Sequence, residues 1–245
     1  MTTTTRRIGV IAAMPEEAEA LFEHLDAHGD RVYHGKRDFL IAHRGSTEII
    51  VVVSRVGKVS AAATAAELIV RFGVDELIVT GVAGGIGPGV EVGDVVVATE
   101  LIHHDLDARP IWPRHVVPLL EVARFTADAR LSAELEHAAR EFLGDRSPKR
   151  NVHKGLVATG DVFVSSSEMA APIRGALPDA LCVEMEGAAV AQVAFEQGVP
   201  VGVVRAISDR ADDDTESEYT ASLAAFAAEY TLGICLPLIE REGNR

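Results

Sequence analysis

Cysteine is scarce in this chain: two of 245 residues, Cys182 and Cys235, each in an apolar setting and without metal-type spacing. That argues against a disulfide scaffold and suits a reduced interior, so the expectation is a cytoplasmic protein. Positive charge is also short. Lysine and arginine number 23 against 37 acids, a formal net charge of -14, which repels a phosphate backbone and argues against a nucleic-acid partner. A small neutral or zwitterionic molecule is not repelled in that way. No apolar run is long enough to span a bilayer, and the opening MTTTTRR leads into IGVIAAM, too short for the core of a signal peptide. What the chain has in quantity is apolar residues, 48% of the total, ample for a buried core.

Short apolar runs alternate with helical patterns. Residues 8–13 (IGVIAA) form a β-type run ending at Met14-Pro15, and a helix is expected next, with Pro15 in its first turn and Glu16 and Glu17 at its positive end. Strands are expected at 38–43 and 48–53 around a Gly45-Ser46 turn, and an Ala-rich helix over 58–72. A strand at 76–80 runs into GVAGGIGPG, and another covers 94–102. The stretch 104–127, with Pro110, Pro113, Pro118 and the only tryptophan, Trp112, has no period and reads as a long functional loop. Beyond it come a helix near 131–143, a strand near 152–159 and a short helix after the Ser165-Ser166-Ser167 caps. A strand at 180–183, a helix over 185–197, a buried strand at 198–208 and a last helix over 217–240 complete the pattern. This alternation predicts an α/β fold with a central mixed, largely parallel β-sheet flanked by helices. No linker or repeat divides the chain, so one catalytic domain is expected over 8–242, after a disordered leader at 1–7.

Several familiar motifs are excluded. The glycines at 81, 84, 85, 87, 89 and 93 lack GxGxxG spacing and lead to a strand. Gly57-Lys58 has no glycine five residues upstream, so it is not a P-loop, and neither GxSxG nor HExxH occurs. His103, His104, Asp105 and Asp107 read as a polar strand end in preference to a metal site, their spacing being loose. The run Asp212-Asp213-Asp214 with Glu216 lacks the glycine of a calcium loop and reads as a solvated lead-in to the last helix. Neither a metal nor a cofactor is expected.

Four segments remain, all at strand ends or helix starts: Met14-Pro15-Glu16-Glu17, Thr80-Gly81-Val82-Ala83-Gly84-Gly85, Val183-Glu184-Met185-Glu186-Gly187 and Arg205-Ala206-Ile207-Ser208-Asp209. In open α/β sheets such ends converge on a ligand crevice. Taken singly, the residues also have plainer readings. Asp209 is equally an N-cap after a buried strand, Glu186 an early-helix carboxylate favoured by the dipole, and Phe163 a core residue. Arg205, inside an apolar strand, needs a carboxylate partner, with Glu186 or Glu17 to provide it.

In this order, and with Gly160-Asp161-Val162-Phe163-Val164 as a fifth segment, the motifs resemble the nucleoside phosphorylase/nucleosidase family, most of all the 5′-methylthioadenosine/S-adenosylhomocysteine nucleosidases. The resemblance extends from about residue 8 to about residue 235 and is weakest across 104–150. It implies cleavage of the N-glycosidic bond of an adenine nucleoside, through an oxocarbenium-like sugar and an anionic purine. By the same resemblance Asp209 is the general acid toward the purine, positioned by Ser208, and its pKa must be raised for that role. Glu186 clamps the sugar hydroxyls with Met185 beneath the ribose. Phe163 stacks on the base while the Val164 backbone reads its edge, and Arg205 sits near the sugar or the water. Ala83 and Gly84 of the glycine-rich turn, Val56 and Met14 complete the substrate contacts, with Tyr219 a further wall candidate. A homodimer is expected, with the 104–118 loop near the neighbouring active site.

Members of the family divide by nucleophile. Phosphorylases carry an arginine after the first strand, another before the glycine-rich turn and a hydroxyl residue within it; this chain has Glu17, Val79 and Val82. A phosphate dianion beside Glu17 is disfavoured, whereas hydrolytic members use that glutamate to activate water. Two departures stand against the family pattern. The turn is TGVAGG where a serine is usual at position 82, and Arg55 stands where a smaller residue is common, as a possible anion site that keeps phosphorolysis open. A non-catalytic nucleoside-binding protein is the third reading. The loop sequence DLDARPIWPRHVVP departs from the usual one, which leaves the 5′ group open between methylthio, homocysteinyl and an aminofutalosine-like substituent.

Overall fold

The computed structural model describes residues 6–26, 29–144, 149–212 and 215–240. Its first strand, β1 (Arg6–Ala12), starts two residues before the expected position, and residues 1–5 of the expected leader lie outside the described residues. Side chains alternate across a strand: Ile8 and Val10 enter one core cluster, Ile11 the other. Helix α1 (Pro15–Asp26) follows, with proline at its first position. A meander of β2 (Asp30–His34), β3 (Arg37–Arg44) and β4 (Thr47–Val53) comes next, then α2 (Lys58–Val70). The strand β2 was not foreseen; it is largely exposed and has no apolar alternation to announce it.

The glycine-rich turn contains structure that its composition hid. After β5 (Glu76–Val79) comes a short buried strand, β6 (Val82–Gly85), where a loop was expected. Then follow β7 (Val95–His103), the irregular stretch ending in β8 (Arg124–Thr126), and α3 (Ala129–Leu143), capped by the Asp128 carboxylate on the Leu131 amide at 2.9 Å. Strand β9 (Val152–Thr159) leads to α4 (Ser167–Ala176), capped by Ser166. β10 (Ala180–Glu184), α5 (Gly187–Gln197) and β11 (Val201–Asp209) complete the sheet. The expected last helix is two: α6 (Thr215–Ser222) and α7 (Ala228–Ile239), joined by a π-helical turn at 223–227. Asp213 and Asp214 lie outside the described residues.

The sheet order is β2-β3-β4-β1-β5-β11-β6-β10-β9-β7-β8, and β11 also pairs with β7, which closes the second half of the sheet on itself. Six strand pairings are parallel, so the mixed α/β architecture stands as expected. One face is covered by α1, α3 and α7, through Leu21, Leu25, Leu135, Phe142, Ile234 and Leu238. The other is covered by α2 and α5, whose alanines Ala61, Ala65, Ala188 and Ala191 let helix and sheet approach closely. α5 stops at Gly198, in the left-handed region at φ 67°. Among the described residues no single helix is long and apolar enough to cross a membrane. The carboxyl ends of β1, β4, β10 and β11 and the strand β6 all open toward one crevice.

Candidate active site

That crevice is a cavity of about 340 Å³, within the range usual for small-molecule sites, roughly 300–1,000 Å³. Each of the four sequence segments contributes to its wall: Met14 and Glu17, Val82 to Gly84, Glu184 to Glu186, and Ser208 with Asp209. Val56, Phe163, Val183 and Tyr219 complete most of the lining. Four carboxylates face it, and none of the lining residues is a lysine or arginine.

Glu17 stands at the third position of α1, where a carboxylate can reach back to the helix start. Its Oε2 accepts from the Ala13 and Met14 amides at 2.8 and 2.9 Å, and its Oε1 from the Val82 amide at 2.9 Å. The side chain is fully buried, and burial pushes its pKa up, against the lowering effects of Arg205 and the three amides. A carboxylate with a raised pKa is a stronger proton acceptor, and three fixed donors leave it an orientation but also a free lone-pair site.

Across the cavity, Asp209 ends β11. Its Oδ2 accepts from the Ser208 hydroxyl at 2.7 Å and its Oδ1 from the Ala211 amide at 2.9 Å. Burial raises its pKa as well, the Ser208 hydroxyl opposing. Gly84 passes so close that a Cβ there would stand 2.8 Å from Asp209 Oδ1. Asp209 does serve the turn that follows it, as the plainer reading held, and it faces the cavity too.

Glu186 lies between the end of β10 and α5. Its Oε1 accepts from the Gly57 amide at 2.9 Å, and burial pushes its pKa up to about 7. Met185 beside it lines the cavity. On the opposite wall Phe163 and Tyr219 meet edge to face with centroids 5.3 Å apart, and the Tyr219 hydroxyl reaches Met14 Sδ at 3.1 Å. Phe163 remains 45% exposed, as befits a wall that a ligand would cover more than a core residue.

Two expected contacts stand behind the wall. Val164 turns its side chain into a core cluster with Ile86 and Ile102, so only its main chain is left for recognition. Arg205 is buried beneath the cavity floor and pairs chiefly with Glu184, less closely with Glu186 at 3.3 Å. The expected pairing with Glu186 is present, and Glu184 is a second, closer partner that the sequence does not announce. Glu184 also accepts from the Glu186 and Gly187 amides at 3.0 and 2.7 Å and from the Thr159 hydroxyl. Thr159, which the sequence reading passed over, accepts in turn from the Ala188 amide at 2.8 Å. Its signal was faint: a hydroxyl at the end of an apolar strand, just before Gly160-Asp161. Asp105 and Asp107, weighed above as metal ligands, are engaged by Lys58 at 2.7 Å and by Arg109, while His103 faces Gln192 at 3.1 Å.

A mixed sheet closed in its second half, with acidic groups gathered at its strand ends, is the arrangement that the resemblance in the sequence implies for an enzyme cleaving nucleosides. The chain belongs to the Phosphorylase superfamily, whose family model matches residues 7–232. Among its relatives, a 5′-methylthioadenosine/S-adenosylhomocysteine nucleosidase of Exiguobacterium sp. is 37% identical over 87% of this chain and 89% of its own length. Another of that name from Bacillus licheniformis is 37% identical over 96% and 99%. The solved Neisseria meningitidis 5′-methylthioadenosine/S-adenosylhomocysteine nucleosidase, in complex with methylthio-immucillin-A, superposes with a TM-score of 0.88 at 35% identity, covering 96% of this chain and 99% of that one.

Proposed function

We propose that this protein hydrolyses the N-glycosidic bond of a 5′-modified adenine nucleoside, of the 5′-methylthioadenosine/S-adenosylhomocysteine kind, releasing adenine and a free ribose derivative. The observation that carries the reading is the pair of buried carboxylates, Glu17 and Asp209, facing one cavity, both with raised pKa. Asp209 in its neutral form gives its proton to the departing purine. Glu17, ionised, takes one from water attacking the anomeric carbon. Glu186 holds the ribose hydroxyls and places negative charge beside the oxocarbenium-like sugar. Phe163 and Tyr219 cover the base and Met185 the ribose.

Water is favoured over phosphate as nucleophile because the lining holds four carboxylates and no cation, a setting that repels a dianion. Arg205 is committed to Glu184 and Glu186, and Arg55 does not line this cavity. The test is product analysis with and without phosphate. Free ribose derivative in both supports hydrolysis; a ribose 1-phosphate that appears with phosphate overturns it, and no adenine at all leaves a binding protein.

The same proposal includes a homodimer and a cytoplasmic setting. Val59, Ile111 and Leu119 are 80%, 83% and 88% exposed, apolar surface that a second copy would cover, bringing the 104–118 loop toward the neighbouring cavity. Light scattering reads the dimer directly. Cys182 and Cys235 are free and buried, which suits a reducing compartment.

A further inference from the structure

A second cleft, about 540 Å³, adjoins the catalytic cavity and shares Ala13, Met14 and Val56 with it. Its wall carries Arg31, Lys36, Arg37 and Arg55 against one acid, Asp38. Arg31 is neutralised by Asp26 and Asp38. The other three have no carboxylate partner among the described residues. Arg37 donates to the carbonyls of Gly35 and Ser60 at 3.1 and 3.2 Å, and Arg55 to the carbonyl of Lys36. Those bonds aim the guanidinium groups without cancelling their charge. Glu67, the acid nearest Gly35, faces His34 instead, at 3.2 Å. Both Lys36 and Arg55 hold the left-handed backbone region, φ 59° and 74°, which ordinary side chains avoid. Three cations that make no ion pair, with Glu67 near Arg37 alone, stand on one wall of a chain of net charge -14 and make a local field that gathers anions.

The position of the cleft gives that field a use. Val56 precedes Gly57, whose amide holds Glu186, so the shared mouth lies beside the proposed ribose site. A 5′ substituent leaving the ribose past Met14 and Val56 enters the basic cleft. We infer that this cleft is a subsite for a carboxylate carried at the far end of the 5′ substituent, read by Arg55, Lys36 and Arg37. The inference rests on the nucleosidase reading above and adds a specificity to it: substituents ending in a carboxylate are preferred to those that end in a neutral group. It also gives Arg55 a place distinct from the phosphate site considered in the sequence.

The test compares adenine release from S-adenosylhomocysteine, from its carboxyl methyl ester and from methylthioadenosine. The ester keeps the thioether and the ammonium and loses only the negative charge. In the unaltered protein, kcat/KM for the free acid is expected to exceed that for the ester by about 10-fold, the worth of a charge-assisted contact, and the gap should narrow with added salt. In the double variant Arg55→Gln/Lys36→Gln the ratio is expected to fall to about 2-fold or less, with methylthioadenosine turnover unchanged as the control for folding. A 5′-carboxyalkylthio adenosine without the ammonium should keep the advantage; if it does not, the ammonium is what is read and the inference falls. Equal kcat/KM for acid and ester in the unaltered protein, or an unchanged ratio in a folded double variant, also overturns it and leaves the nucleosidase reading intact. If none of the nucleosides yields adenine, the nucleosidase reading fails and the cleft assignment with it.

Discussion

The Val82 amide donates to Glu17 Oε1 at 2.9 Å, so the proposed base is tied to the glycine-rich turn by main chain and not by the side chain at position 82. Replacing the usual serine by valine therefore removes a hydroxyl and no anchor. Val82→Ser should leave Glu17 in place and offer the attacking water one more partner, raising kcat by about 2- to 10-fold, the worth of one hydrogen bond. A fall in kcat would count against water being held there. Glu17→Gln is the severe counterpart. Its amide nitrogen must face one of three backbone donors, at a folding cost of about 1–3 kcal/mol. Activity should drop far more than that, by about 10²–10⁴ when read well below the melting temperature.

The pH profile of kcat/KM tests the two protonation states together. Asp209 must hold its proton, while Glu17 and Glu186 must have lost theirs. Glu186 is pushed up to about 7 by burial, so activity should fall as pH drops through that value and the clamp on the ribose is protonated. On the alkaline side activity falls as Asp209 ionises. The Ser208 hydroxyl, 2.7 Å from Asp209 Oδ2, favours the charged form. Ser208→Ala removes that help and raises the Asp209 pKa further, so the alkaline limb moves to higher pH and the acid limb stays. A limb moving downward would rule out Asp209 as the acid.

How much of this was legible in the sequence depended on whether a residue's role was local. Strong periodicity and turn chemistry placed α3, α5 and the buried strands within a few residues. The Pro15-Glu16-Glu17 start of α1 was equally plain, because proline and acids have a reason to open a helix. The exposed β2, the glycine-hidden β6 and the break at 223–227 were not legible. Their form is set by pairing and packing with distant segments. Within the site, the motifs named the cavity wall. Glu186 was legible as a partner of Arg205, but the closer Glu184 was not, because the two glutamates are alike as sequence and only the register at the end of β10 puts Glu184 in contact. The basic cleft was invisible for the same reason: Lys36, Arg37 and Arg55 meet only once β3 and β4 pair.

Gly81 makes a sharp test of how tightly the floor is packed. It sits at φ 149°, and a Cβ there would stand 2.5 Å from both Arg205 Nη1 and Glu17 Oε1. Both groups are buried and held by several bonds, so neither can yield cheaply. Gly81→Ala should cost roughly 2 kcal/mol or more in urea unfolding and abolish most activity. Gly89→Ala is the control: its φ is 74°, with nothing within 4 Å of the added Cβ. It should lose only about 1 kcal/mol, for backbone strain alone, with activity kept. Similar losses for both would mean that strain, and not the crowding of Glu17 and Arg205, governs position 81.

Glu184 links stability to chemistry in a way that one variant can separate. It receives Arg205, two amides and the Thr159 hydroxyl, and the buried Arg205 has two further acids beside it, Glu186 at 3.3 Å and Glu17 across Gly81. Glu184→Gln takes the closest of three carboxylates from a buried guanidinium, which should cost up to about 3 kcal/mol of folding stability, the low end for breaking a buried pair. A purely structural brace would stop at that loss. Here the negative charge of Glu184 also raises the pKa of Glu186, while Arg205 lowers it. Removing the first and freeing the second both favour ionised Glu186, so the acid limb of kcat/KM should move to lower pH in whatever fraction of the variant folds. A destabilised variant whose acid limb stays where it was would reduce Glu184 to a brace and leave the raising of the ribose clamp's pKa to burial and to Glu17.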